Sequence, residues 1–153
     1  MTAVYLMNVQ NFLLLYREGG KAVNHVYTGS AGGHFEPHEL NDPKACVLRE
    51  LEEELGLTEE RLEHLTLRYI TLRKLEGEVR QNYYFFADLS DESEQNLFSN
   101  EGKLEWFNFE HALTLEMPLS AQYVLEHYVK TGRYNDKLYG GIVGNDGMVF
   151  TAM

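Results

Sequence analysis

A chain of 153 residues is long enough to bury one hydrophobic core and short for two, so a single domain over residues 1–153 is expected, with residues 134–153 as a C-terminal extension whose packing the pattern does not fix. Hydrophobic residues at 44% and charged residues at 24% fit a folded soluble domain rather than a disordered one. The balance of 24 Asp plus Glu against 13 Lys plus Arg, a formal charge of -11, argues against binding long nucleic acid by neutralising its backbone, and the lone cysteine, Cys46, excludes an internal disulfide and a multi-cysteine zinc site. A reducing compartment fits that cysteine count, and with no basic leader at Met1–Asn8 and no run of 18 apolar residues, a cytoplasmic protein outside the membrane is the expectation.

Residues 3–7 and 11–16 read as two short strands around a polar break, followed by a turn over Arg17–Lys21. An extended piece at Val26–Tyr27 leads into Gly29-Ser30-Ala31-Gly32-Gly33, where glycines permit tight backbone geometry. Asp42 is a good N-cap with Pro43 at the first helical position, and Gly56 offers a stop, which predicts a helix over 43–55 burying Leu48, Leu51 and Leu55. Two long strands are expected at 66–74 and 79–88, the second carrying Tyr83-Tyr84-Phe85-Phe86, and a further strand at 103–109 contains Trp106. After Pro118, residues 119–130 read as a helix; Leu138–Val143 and Met148–Phe150 are apolar enough for short edge strands or for contact with a partner. Strands with two separated helices indicate an α+β or mixed-sheet α/β fold.

The acidity is uneven. Residues 36–60 hold nine carboxylates against Lys44 and Arg49. On the 43–55 helix, with about 100° per residue, Glu50, Glu53 and Glu54 share roughly a 100° face while Glu52 points away. Like charges so placed destabilise an isolated helix, and a cation would reverse that cost; carboxylate oxygens suit magnesium or manganese. Arg49 is placed to reach back to Glu39 in a charged hydrogen-bonded clamp that holds the preceding loop over the helix. The alternative use of the same residues is a solvated acidic face in an interaction domain.

The run Gly33, five residues, Glu39, then Arg49-Glu50-Leu51-Glu52-Glu53-Glu54-Leu55-Gly56-Leu57 resembles the signature of the Nudix hydrolase family, MutT-like members included. Nine residues separate Glu39 from Arg49 where the family pattern has seven, and Leu40-Asn41, ahead of the helix start, is the place for the two extra ones. The resemblance implies a mixed β-sheet sandwiched between helices, and Mg2+- or Mn2+-dependent cleavage of a diphosphate linkage in a nucleoside diphosphate joined to another group. It also implies metal contacts from the Gly33 carbonyl and from Glu50, Glu53 and Glu54. Glu53 is then the first choice for orienting or deprotonating water, with Glu94 or Glu101 from a later loop as the alternative.

For a small nucleotide-like substrate, Arg17, Arg68 and Arg80 are candidate phosphate contacts and Asn82 a candidate reader of a base edge. An oxidised or ordinary nucleoside triphosphate, cleaved to monophosphate and pyrophosphate, heads the substrates; ADP-ribose, nucleotide sugars and dinucleoside polyphosphates are alternatives, as is a noncatalytic nucleotide-binding regulator. His34 and His38 fit surface or structural roles. The chain is expected to be a monomer or a homodimer.

Overall fold

The computed structural model describes residues 1–18, 25–89 and 97–153. Its elements are β1 (Thr2–Asn8), β2 (Asn11–Arg17), β3 (Tyr27–Thr28), β4 (Ala31–Gly33), α1 (Pro43–Leu55), β5 (Leu62–Leu75), β6 (Glu78–Leu89), β7 (Gly102–Asn108), α2 (Phe109–Ala112), α3 (Leu119–Lys130), β8 (Tyr139–Gly144) and β9 (Gly147–Ala152). Helices α1 and α3 have the expected bounds. Asp42 accepts the Ala45 amide at 3.0 Å, and Gly56, with φ of 66°, closes α1 by donating to the Glu52 carbonyl at 3.0 Å. The strand expected at 66–74 begins earlier, at Leu62, because its pairing with β6 continues through two register shifts. The turn expected at Arg17–Lys21 lies largely outside the described residues.

Nine strands among the described residues form one mixed sheet in the order β3-β2-β1-β6-β5-β8-β9, with β4 added to β1 and β7 to β2. The β1–β6 and β5–β8 pairs are parallel and the remaining pairs antiparallel. Each face of the sheet carries its own core. Alternation along β6 sends Phe85, Ala87 and Leu89 to the face covered by Val47, Leu51 and Leu55 of α1, and sends Tyr84 and Phe86 to the face covered by Val124, Leu125 and Tyr128 of α3. Phe86 stacks on Tyr128 with ring centroids 4.1 Å apart. The aromatic run is therefore divided between the two cores, with the half-buried Tyr83 packed against the α1-side core and its ring 5.5 Å from that of Phe35.

The C-terminal residues form the β8–β9 hairpin, which lies against β5 of the same chain. It is pinned on the α3 side by Phe150, whose ring lies 4.5 Å from that of His127.

One edge of β1 is shared. Thr2–Val4 pair with β4 and Leu6–Asn8 with β2, so the two neighbours diverge between them. Ser30 fills that divergence: fully buried, its hydroxyl accepts the Leu6 amide at 3.0 Å and donates to the Leu13 carbonyl, while its own amide bonds the Val4 carbonyl. This fixes β4 under α1. Replacing Ser30 with Ala strands a buried amide and a buried carbonyl, so S30A is expected to lose about 1–3 kcal/mol of stability by urea denaturation, with its denaturant m-value unchanged.

Candidate active site

The glycine segment and α1 run past each other in opposite directions. Opposite Gly32 is Glu54, whose Oε2 accepts the Gly32 amide at 3.2 Å; opposite Gly33 is Glu50; opposite His34 is Arg49, whose Nη2 donates to the His34 carbonyl at 2.9 Å. Glycine is required at 32 because an added Cβ would strike the backbone of Thr2 and Ala3, whereas at 33 a Cβ would meet the Glu50 carboxylate and make that side chain swing aside. Close approach, rather than an unusual φ, sets these two residues.

After Phe35 a short 3-10 turn over Pro37–Glu39 folds the chain back, with the Glu36 amide donating to Glu39 Oε2 at 3.0 Å. Glu39 is only 2% exposed and meets Arg49 edge to edge, accepting from Nε at 2.6 Å and from Nη2 at 3.1 Å. That bidentate contact holds the Glu39 carboxyl at about 2, below the usual carboxylate range, and raises Arg49 further above its ordinary value. Leu40 and Asn41 are exposed between this turn and the Asp42 cap, so the longer spacing before Arg49 is taken up ahead of the helix and leaves its faces unrotated.

Arg49 also serves the acidic face. Its Nη1 lies 3.0 Å from Glu50 Oε1 and 3.0 Å from Glu53 Oε2. Glu50 is largely covered and Glu53 is open to solvent. Glu54 is half-buried and pushed up to about 7: burial is the main cause, the Gly32 amide pulls the other way, the charge of Glu50 raises it, Arg17 lowers it and Glu101 raises it. Among the described residues no three His, Cys, Asp or Glu side chains converge as a metal-holding set; the three glutamates share the helix face, but Arg49 and the Gly32 amide engage them.

Of the other residues singled out in the sequence, Arg17 and Glu101 come to this face. Arg17 ends β2 opposite Gly102, and both its charge and that of Glu101 act on Glu54. Glu94 lies outside the described residues. Arg68 is 7% exposed and fully committed, donating to the carbonyls of Gly132 at 2.6 Å, Asn135 at 2.8 Å and Lys137 at 3.0 Å, which ties down the segment after α3 instead of facing a phosphate. Arg80 and Asn82 sit on β6 in phase with Tyr84, on the face opposite α1. The structure thus separates Arg68, Arg80 and Asn82 from the acidic face.

A groove of about 470 Å³ adjoins Arg17 and Glu101, lined by Glu18, Phe98, Ser99, Asn100 and Lys103 among others. No motif marks these residues. The pairing of β7 with β2 brings this segment to Arg17, with Gly102 in register with Arg17 and Lys103 with Tyr16.

The NUDIX domain model matches residues 1–128, and the chain belongs to the NUDIX family. It is similar in structure to the mutator MutT protein of Bacillus halodurans, at 22% identity and a TM-score of 0.66 over 99% of this chain and 95% of that one. A C. elegans Ap4A hydrolase in a binary complex is similar at 19% identity and a TM-score of 0.66, over 88% of this chain and 96% of that one. The E. coli ORF135 protein follows at 20% identity and a TM-score of 0.61, over 88% and 92%. No curated protein matches the sequence. These likenesses extend the shared fold into the C-terminal hairpin in the first case, beyond the residues that the domain model matches.

The electrostatics of Glu54 give a measurable sign. A carboxyl raised from 4.5 to about 7 in the folded chain contributes stability fully present below pH 4.5 and lost as pH rises through 7. In chelator-treated protein, E54Q is therefore expected to match the native melting temperature near pH 4.5 and to exceed it increasingly toward pH 8. A constant offset between the two proteins would contradict the assignment.

Proposed function

We propose that the chain is a divalent-metal-dependent hydrolase of a diphosphate linkage in a nucleotide-like substrate. The observation that supports this best is the crowding of carboxylates against the glycine segment: Glu54 half-buried beside Glu50, with Glu50 occupying the space that a side chain at 33 would take. A half-buried carboxylate raised by a second one lacks positive charge, and oxygen donors of this kind fit magnesium or manganese. The Gly33 carbonyl, Glu50, Glu53 and Glu54 would hold the ion. When bound, it supplies charge neutralisation at the diphosphate and an acidified water.

The chain's own residues do the rest. Glu53, the most exposed of the three glutamates, orients the attacking water and accepts its proton. Arg49, fixed by Glu39, keeps Glu53 and Glu50 in place from the same side of α1. Arg17 offers a cationic contact to phosphate oxygens at this end of the groove, and Glu101 is placed to assist there. The reaction is in-line attack of water on one phosphorus, breaking one P–O bond of the bridge and leaving two phosphorylated products.

A nucleoside triphosphate, ordinary or oxidised, is the first substrate class. Dinucleoside polyphosphates stand beside it in this reading, in keeping with an Ap4A hydrolase among the structural neighbours, with ADP-ribose and nucleotide sugars completing the class. No helix among the described residues is long and apolar enough to cross a membrane, and a -11 chain has little affinity for long nucleic acid, so a small diffusible substrate is the fitting partner.

The test is product analysis across that panel with magnesium or manganese, comparing native protein with E53Q and E39Q. Selective turnover that falls at least about 100-fold in E53Q, the scale of a lost general base, supports the reading. In E39Q, the melting temperature and turnover are both expected to fall, because Arg49 loses its anchoring carboxylate. Tight nucleotide binding without turnover would assign the chain to noncatalytic nucleotide regulation.

A further inference from the structure

Among the described residues, the outer edge of the sheet has no protection. Among the described residues no strand pairs with the outer side of β9, which ends the strand order. Residues 138–153 carry one charged side chain, Asp146, and no proline, in a chain of formal charge -11. Soluble proteins usually guard an edge strand with lysine, proline, a bulge or a covering element. Here the strand Gly147-Met148-Val149-Phe150-Thr151-Ala152 has none of the first two, and it pairs with β8 without a register shift.

The adjoining sheet face is also uncovered. Leu72 of β5 is in register with Ile142 of β8, and Ile142 with Val149 of β9. All three are exposed, at 36%, 62% and 73%, so they form an apolar row across three strands on the α1 side, beyond the reach of α1. The opposite side of the hairpin is occupied, with Phe150 packed on His127 and Tyr69. Among the described residues, nothing covers the edge and this row.

We propose that β9 pairs antiparallel with β9 of a second copy of this chain, joining two sheets into one across a twofold axis. The backbone phase favours a particular register. The hairpin closes on the Gly144–Gly147 pair and the Met153 amide bonds the Leu138 carbonyl, so odd-numbered residues of β9 direct their amides inward and Met148, Phe150 and Ala152 direct theirs outward. Placing Val149 opposite the second copy's Val149 lets Met148 and Phe150 exchange backbone bonds with their counterparts. It also joins the two exposed rows into a single one, Leu72-Ile142-Val149 meeting Val149-Ile142-Leu72. Charge does not bar this occupant: two chains of -11 repel over most of their surfaces, but residues 138–153 carry only Asp146, so two copies approach there with least opposition. The twofold symmetry needs only one self-complementary strand.

The test is the solution mass by light scattering and sedimentation over a wide concentration range, for native protein, V149K, V149E and their mixture. Val149 is exposed and outside the candidate active site, so both variants are expected to keep the native circular dichroism and melting profile when measured dilute. A two-chain mass for native protein, a one-chain mass for each variant alone, and recovery of the two-chain mass on mixing the variants are the expected results. A one-chain native mass at the highest soluble concentration overturns the proposal, as does a two-chain mass that persists in V149K. If the native protein is a single chain and V149K instead weakens nucleotide binding, the row belongs to a ligand and the proposal also falls.

Discussion

The contact between Arg49 and Glu39 governs the candidate site because it converts a loop into a fixed surface. Without a cation of its own, a helix face bearing Glu50, Glu53 and Glu54 would be opposed by repulsion among its charges. Arg49 supplies one guanidinium with several donors, and the structure divides them: one edge to the buried Glu39, one nitrogen to the His34 carbonyl, one to Glu50 and Glu53. A lysine, with a single ammonium, has no geometry for that division. The same group thus anchors the turn at 37–39, the glycine segment and the acidic face to one another.

That anchoring explains why the glycine segment is both short of side chains and well connected. Gly32 and Gly33 are pressed between β1 and α1, and each backbone unit faces one particular residue of the helix. Ser30 holds the entry to the segment and Glu39 its exit. Burial at Glu54 and the pull at Glu39 move two carboxyls in opposite directions, to about 7 and about 2, on a single scaffold. Groups so displaced take up protons in different ranges, Glu54 near neutrality and Glu39 only in strong acid.

The parts that were legible in the sequence are those with local causes. Asp42-Pro43 and Gly56 bound α1, Pro118 precedes α3, and both helices run over the residues that their caps and breakers indicate. The placing of Glu50, Glu53 and Glu54 on one face follows from helical spacing alone. What was not legible depends on contacts between distant segments. Nothing near Arg68 announces that its guanidinium will be consumed by carbonyls more than sixty residues away, and nothing near Arg17 announces Glu101. Arg80 and Asn82 fall on the face away from α1 because of the phase of β6, which is fixed by its partners β1 and β5. The hairpin at the end of the chain was readable as strands, while its docking on β5 required the fold.

The parallel pairing of β1 with β6 orders the events of assembly. β1 finds β2 across a two-residue turn, but its other edge waits for Thr2 to meet Tyr83 and Met7 to meet Asp88, some eighty residues later. During synthesis, α1 therefore emerges before Phe85, Ala87 and Leu89, which form much of the floor it rests on. An acidic amphipathic helix with half its support missing is a poor folder by itself, so the acidic face is among the late-formed parts of the molecule. The β5–β6 hairpin, local and long, is the natural nucleus, and β1 is among the last strands to be fully enclosed.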